Sequence, residues 1–210
     1  MTDAEHWDAL YAQTPVDEAS WHRSATDRST RLLGAPHGSV VDVGGGASSL
    51  PDALLDAGWS HVAVLDVSAK AIAAARGVVR DTSDRVSFVV ADVLTWEPAW
   101  QYDAWHDRAC LHFLVDDADR ERYVEVASTT VVAGGVLLVG TFALDGPTTC
   151  SGLRVAHYDG AGLADLFARS FDLEHTEREE HVTPYGVVQP FTWAVLRRRV
   201  DPVDLPLDLG

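Results

Sequence analysis

The sequence predicts an α/β fold, a mostly parallel sheet with helices on both faces, closed by an antiparallel last strand. Three observations predict it. Short apolar runs alternate with helical patterns through five units, which requires crossover connections and so parallel strands. The final two strand-like runs, near 171–181 and 189–198, follow almost back to back, which implies a hairpin and an antiparallel edge strand. The run Val40-Val41-Asp42-Val43 opens directly into Gly44-Gly45-Gly46, and the next, Val62-Ala63-Val64-Leu65, ends in Asp66, 24 residues after Asp42.

Residues 3–13 have a helical pattern with Trp7, Leu10 and Tyr11 on one face. A loop through Pro15 reaches Ser20-Trp21-His22, and a second helix over 26–33 stops at Gly34-Ala35-Pro36. Strands are expected at 39–43, 61–66, 86–91, 102–107 and 136–142. The helices between them are expected at 50–57, ended by Gly58, at 69–80, capped by Ser68, and at 119–131. A long loop over 143–158 precedes a helix at 160–170 and the closing strand pair. The expected organisation is an N-terminal helical segment over 1–37, a main domain over 38–198 and a frayed tail over 199–210.

Composition narrows the functions. The chain of 210 residues is long enough for one domain with a sizeable core, and 47% hydrophobic content suits a globular fold. Asp and Glu total 32 against 16 Lys and Arg, giving −16 and a pI near 4.7. Such a surface repels phosphate backbones and anionic lipid, so neither nucleic acid nor membrane is an expected partner. No apolar run approaches the ~20 residues of a spanning helix. The N-terminus Met1-Thr2-Asp3-Ala4-Glu5 has no signal-peptide character, and Cys110 and Cys150 form no metal-ligand spacing. A reduced cytoplasmic setting without a metal is the expectation. No pattern specifies an oligomeric state.

The glycine turn and the two acids carry the chemistry. Glycine lets backbone N–H groups approach a ligand, and an acid ending the second strand can hold a ribose through both hydroxyls. A dinucleotide fingerprint wants its third glycine at position 49, which is Ser49, and no acid inside the first strand. Counted from the acid, Asp42-x-Gly44-x-Gly46 resembles the first motif of the class I S-adenosylmethionine (SAM) dependent methyltransferases, with Ser48 in place of the usual last glycine. The resemblance covers about residues 38–198. It implies a Rossmann-like seven-stranded sheet, SAM as cofactor and S-adenosylhomocysteine as product. It further implies Asp42 near the methionine end, Gly44, Gly45 and Gly46 beneath the cofactor, Asp66 on the ribose, Val67 against adenine, Asp92 at the adenine amino group and Val93 beside the ring. Each acid can equally be read as a helix cap or turn residue.

In this family the segment after the fourth strand, Trp105-His106-Asp107-Arg108-Ala109-Cys110-Leu111-His112-Phe113, faces the methyl group. His106, Asp107 and His112 are therefore the candidates for substrate contact or proton removal. Asp107 and Arg108 can also form an ion pair that fixes the loop, and His112 can simply pack. The stretch His6-Trp7-Asp8-x-x-Tyr11 with Ser20-Trp21-His22 resembles the lid of thiopurine methyltransferase-like enzymes and of elongation-factor lysine methyltransferases. That likeness puts Trp21 with the cofactor and Trp7 and Tyr11 with the substrate, although Trp7 and Tyr11, at i and i+4, can equally pack on the core. Arg108, and Cys150 in the long loop after the fifth strand, are the other candidates for substrate contact, and Cys150 can simply be inert. A small-molecule acceptor, with a thiol or other soft nucleophile favoured by the thiopurine-like lid, is the leading expectation. A protein lysine methyltransferase and a non-catalytic SAM-binding module are the alternatives. An open groove would favour the protein substrate and an enclosed pocket the small molecule.

Overall fold

The computed structural model describes residues 4–13, 27–81 and 83–200. The expectations for Trp21 and its neighbours and for most of the C-terminal tail lie outside them. Among the described residues, seven strands form one sheet in the order β3-β2-β1-β4-β5-β9-β8, where β1 is Ser39–Val43, β2 His61–Asp66, β3 Val86–Val90, β4 Tyr102–Arg108, β5 Val131–Phe142, β8 Phe171–Val182 and β9 Val188–Arg198. β1 to β5 run parallel, and β9 pairs antiparallel with both β5 and β8. Strand order reverses between β1 and β4, which is where ligands bind in open α/β sheets, at the carboxyl ends of the strands.

The closing hairpin forms as the sequence implied, but its antiparallel strand is not at the edge. β9 inserts between β5 and β8. The reason lies in composition. β9 buries Phe191, Trp193, Ala194, Val195 and Leu196, a run that needs neighbours on both sides. β8 is mostly exposed and dense in Asp, Glu, Arg and His, the character that protects an edge from further pairing. The loop expected over 143–158 also holds a short hairpin, β6 (Thr149–Cys150) against β7 (Leu153–Arg154). Ser151 and Gly152 turn it with φ of 50° and 78°, as a two-residue hairpin with positive φ at both central positions requires.

The helices are α1 (Ala4–Gln13), α2 (Asp27–Leu33), α3 (Leu50–Ala57), α4 (Ala69–Val78), α5 (Asp117–Thr130) and α6 (Gly160–Phe167). Strand periodicity decides which face each side chain meets. Val41 and Val43 of β1 and Trp105 of β4 lie in one core with Tyr123 of α5 and Phe167 of α6. Val40 and Ala104 lie in the other with Leu32 of α2 and Leu54 of α3. Asp42 and His106 therefore fall on the α2–α3 side, directly paired across β1 and β4, while Asp107 falls on the α5 side. Ser68 caps α4 by accepting from the Ala71 amide at 3.0 Å, as expected.

One packing contact sets a test of this arrangement. A Cβ added at Gly140 of β5 would meet three ring atoms of Trp193 at 2.9 Å, and Trp193 is fully buried. Gly140→Ala should cost about 1–3 kcal/mol of stability by overpacking. Urea unfolding should show a lower midpoint with an unchanged slope, whereas an unchanged midpoint would mean the two strands are not in this register.

Candidate active site

The carboxyl ends of β1, β2 and β4 bring three buried acids to one edge of the sheet. Asp66 accepts from the Ser68 amide at 2.8 Å and from the Gly46 amide at 3.1 Å. Burial outweighs those two bonds, and the neighbouring charges of Asp42 and Asp8 add to it, so its pKa is raised to about 6. Each oxygen keeps a lone pair, so the carboxylate can still accept two hydroxyls. Gly44 and Gly46 have φ of 63° and 51°, a left-handed conformation that glycine adopts without strain. A Cβ on Gly46 would stand 2.2 Å from the Tyr11 hydroxyl. Ser48, where the usual motif has glycine, accepts from the Leu50 amide at 3.2 Å and so helps to start α3.

Asp42 accepts at Oδ1 from His106 Nδ1 at 2.7 Å, and His106 Nε2 meets the Ser29 hydroxyl at 3.0 Å. Asp42 Oδ2 is buried with no hydrogen-bond partner among the described residues and lies under the glycine loop, 2.6 Å from where a Cβ on Gly45 would be. His106 thus sits beneath the loop, between the acid and α2. Asp92 accepts from the Leu94 amide at 2.9 Å, which orders the turn after β3, and Val93 is buried in the α5-side core.

Asp107 is fully enclosed and turned inward. It accepts from the Cys110 amide at 2.8 Å, the Leu111 amide at 2.9 Å and the Tyr123 hydroxyl. Burial raises its pKa to about 6. Its donors are these groups, and the Arg108 guanidinium instead lies over the Phe191 ring, 4.8 Å from its centre. His112, in the 3-10 turn Leu111–Phe113, has no solvent exposure. Its ring lies 4.5 Å from that of Phe113 and 4.6 Å from that of Phe142, and neither nitrogen has a hydrogen-bond partner among the described residues. Burial, then the Arg108 charge, lowers its pKa to about 3, so the imidazole is neutral. Cys150 is buried, and burial raises its thiol pKa, which leaves little thiolate.

α1 lies across the mouth, although none of its residues is buried. Asp8 accepts from the Ser68 hydroxyl at 2.6 Å and from the Lys70 amide at 3.1 Å, and the Ser68 bond holds its carboxyl below the usual range. His6 Nε2 donates to the Ser151 carbonyl at 3.0 Å, and the Trp7 ring meets Phe113 edge-on at 5.0 Å. The helix thereby ties the turn after β2 to the β6–β7 hairpin. Of the residues read from sequence, Asp42, Gly44, Gly45, Gly46, Asp66 and Tyr11 come together on one side of this mouth. Trp7 meets Phe113 next to His112, and Arg108 is close enough to act electrostatically on His112 and Cys150, both buried. Ser29 and Tyr123 were not singled out by sequence, because they lie 77 and 16 residues from the side chains they serve. Asp8 stood in the lid motif without an assigned role.

Residues 40–135 match the family model described as a methyltransferase domain. That match takes in β1 to the start of β5, and with them the glycine loop and the buried acids Asp42, Asp66 and Asp107. No curated protein matches the sequence. Among solved structures, one from work on the conversion of a disulfide bond into a thioacetal group during echinomycin biosynthesis is 22% identical, with a TM-score of 0.71 over 94% of this chain and 93% of that one. The Burkholderia thailandensis 1,6-didemethyltoxoflavin-N1-methyltransferase, with 1,6-didemethyltoxoflavin and S-adenosylhomocysteine bound, is 19% identical, with a TM-score of 0.68 over 95% and 92% of the two chains. The N-methyltransferase NodS from Bradyrhizobium japonicum is 16% identical, with a TM-score of 0.67 over 83% and 96%. The thiopurine branch is not singled out by these matches. No helix among the described residues is long and apolar enough to cross a membrane.

The site fits the methyl donor. Asp66 can take a diol, the unpartnered Asp42 Oδ2 suits an ammonium group, and an acidic rim suits a sulfonium cation. The turn beside it depends on Tyr123, whose hydroxyl also accepts from Trp105 Nε1 at 2.9 Å. Tyr123→Phe should destabilise the fold by about 1–3 kcal/mol, because it takes one donor from a buried carboxyl and strands an indole N–H. Thermal melting would check this, and an unaltered transition would remove Asp107 as the anchor of the turn.

Proposed function

We propose that this methyltransferase transfers the methyl group of SAM to a small-molecule acceptor, with thiols and other soft nucleophiles as the first class to examine. The observation that carries the reading is α1, which bridges the mouth from Asp8 at Ser68 to His6 at Ser151. A bridged mouth encloses a small acceptor and obstructs a protein chain. The 1,6-didemethyltoxoflavin-N1-methyltransferase, crystallised with its small molecule, and the neighbour from work on converting a disulfide bond into a thioacetal group support a small acceptor.

In this reading Asp66 holds the ribose, Gly44–Gly46 pass beneath the cofactor, Asp42 faces its methionine end, and Val67, Asp92 and Val93 surround the adenine. Trp21 belongs to the same group by the motif alone. When bound, SAM supplies a methyl group already activated on a sulfonium. The chain's part is to orient the acceptor and exclude water, and positioning supplies about 7–11 kcal/mol in favourable cases. Trp7, Phe113 and Arg108 shape the acceptor side. Of the N-terminal segment, α1 acts as a lid, because it is held by polar bonds and a ring contact and buries no residue of its own. Asp107 and His112 serve by building the turn that faces the acceptor. All the donors of Asp107 are structural, and an imidazole with a pKa near 3 is a poor base at neutral pH. A thiol with an ordinary pKa supplies enough thiolate to react without a dedicated base.

Two measurements test this. Calorimetry should show SAM binding and no NAD binding, with Asp66→Ala abolishing it in a folded protein. Because the ribose hydroxyls donate to the ionised carboxylate, affinity should rise with pH through about 6 and be roughly tenfold weaker at pH 5 than at pH 7. A flat profile would take Asp66 off the ribose. Release of S-adenosylhomocysteine should then appear with thiols or metalloids in a screen that also includes amines, phenols and basic peptides. Turnover with peptides alone would reverse the choice of acceptor.

A further inference from the structure

Along one face of the sheet the buried chain Ser29–His106–Asp42 links α2 to the glycine loop. All three side chains are buried. Asp42 and His106 are cross-strand neighbours on β1 and β4, and Ser29 reaches them from α2, 77 residues away from His106 in sequence. Its polarity is fixed by chemistry. A carboxylate can only accept, so His106 Nδ1 carries a proton and donates it to Asp42 Oδ1. With that proton on Nδ1 of a neutral ring, Nε2 accepts a hydrogen bond from the Ser29 hydroxyl. The ring also lies 6.2 Å from that of Trp193, and packing in the core leaves it little freedom to turn. The carboxylate is thereby held in one orientation, with Oδ1 occupied and Oδ2 aimed under Gly45.

We infer that His106 is a positioning residue for the cofactor: by donating from Nδ1 to Asp42 it fixes the carboxylate whose second oxygen faces the cofactor loop, and through Ser29 it ties that loop to α2. This inference rests on the SAM reading above. It gives His106 a role in cofactor affinity in place of substrate contact or proton removal. It also explains why a histidine occupies a buried position in the middle of the sheet, beside Asp42. A buried carboxylate without a donor is costly, and a buried histidine satisfied at both nitrogens is not.

The two nitrogens can be separated by substitution. Asn places an amide N–H near the position of Nδ1, and Gln places one near Nε2. SAM affinity measured by calorimetry should fall at least tenfold in His106→Ala and His106→Gln, and stay within about threefold of the parent in His106→Asn. A role in packing alone would not distinguish Asn from Gln. Equal affinities for the Asn and Gln variants would overturn the inference. Should the Ala variant fail to fold, the Asn and Gln pair carries the comparison. In the unsubstituted protein, nitrogen-15 NMR of labelled histidine should show His106 protonated at Nδ1, with a shift on saturation with SAM. Protonation at Nε2 alone would overturn the inference independently of any variant. Retained binding in all His106 variants with binding lost in Asp66→Ala would sink this inference and leave the SAM reading intact. No SAM binding by the parent would sink both.

Discussion

Three carboxyl groups buried at the carboxyl ends of the parallel strands must each find donors, and the shape of the site follows from where those donors come. Burying an ionised carboxylate without partners costs several kcal/mol. Asp66 draws the amides of Gly46 and Ser68 toward it, which folds the glycine loop over the end of β2. Asp107 draws the amides of Cys110 and Leu111 and the hydroxyl of Tyr123, which curls the chain after β4 and fastens it to α5. Asp42 is served by a side chain, His106, and that bond carries the constraint on to α2. The backbone around the site is therefore arranged by its acids before any ligand is considered.

The same logic extends to the cover. Ser68 is shared, since its amide donates to Asp66, its hydroxyl donates to Asp8 of α1, and its oxygen caps α4. A single serine thus links the ribose acid, the N-terminus of a helix and the helix across the mouth. Because α1 buries none of its own residues, polar bonds and ring contacts hold it, and these form and break with less loss than a packed apolar face. The acidic balance of the whole chain suits a cationic donor, and within the cleft that charge is concentrated at the strand ends.

The fold was readable in the sequence because its signals are local. Five strands and their helices show alternating periodicity, and the turn at Gly44–Gly46 followed by Asp66 carries its own geometry. The insertion of β9 between β5 and β8 was not readable from the hairpin, because adjacency in sequence says which strands pair and not which one takes the edge. The contrast between the apolar run Phe191–Leu196 and the charged β8 held that answer. In the site, residues on the loops after β1, β2 and β4 could be named, but what their side chains do could not. Asp107 and His106 are consecutive and both buried, yet strand alternation sends one to Tyr123 and the other to Ser29. Neither partner has any feature in sequence that marks it. The short hairpin at Ser151-Gly152 was masked by its two-residue strands.

The central claim is that the acids at the strand ends form the donor site and that α1 closes over it. A crystal structure of the protein with S-adenosylhomocysteine tests this most directly. The ribose hydroxyls should lie on Asp66, the amino group of the ligand beside Asp42 Oδ2, and α1 should still be joined to Ser68 through Asp8. A ligand seated elsewhere, or bound at this edge with no contact to Asp66, would contradict it.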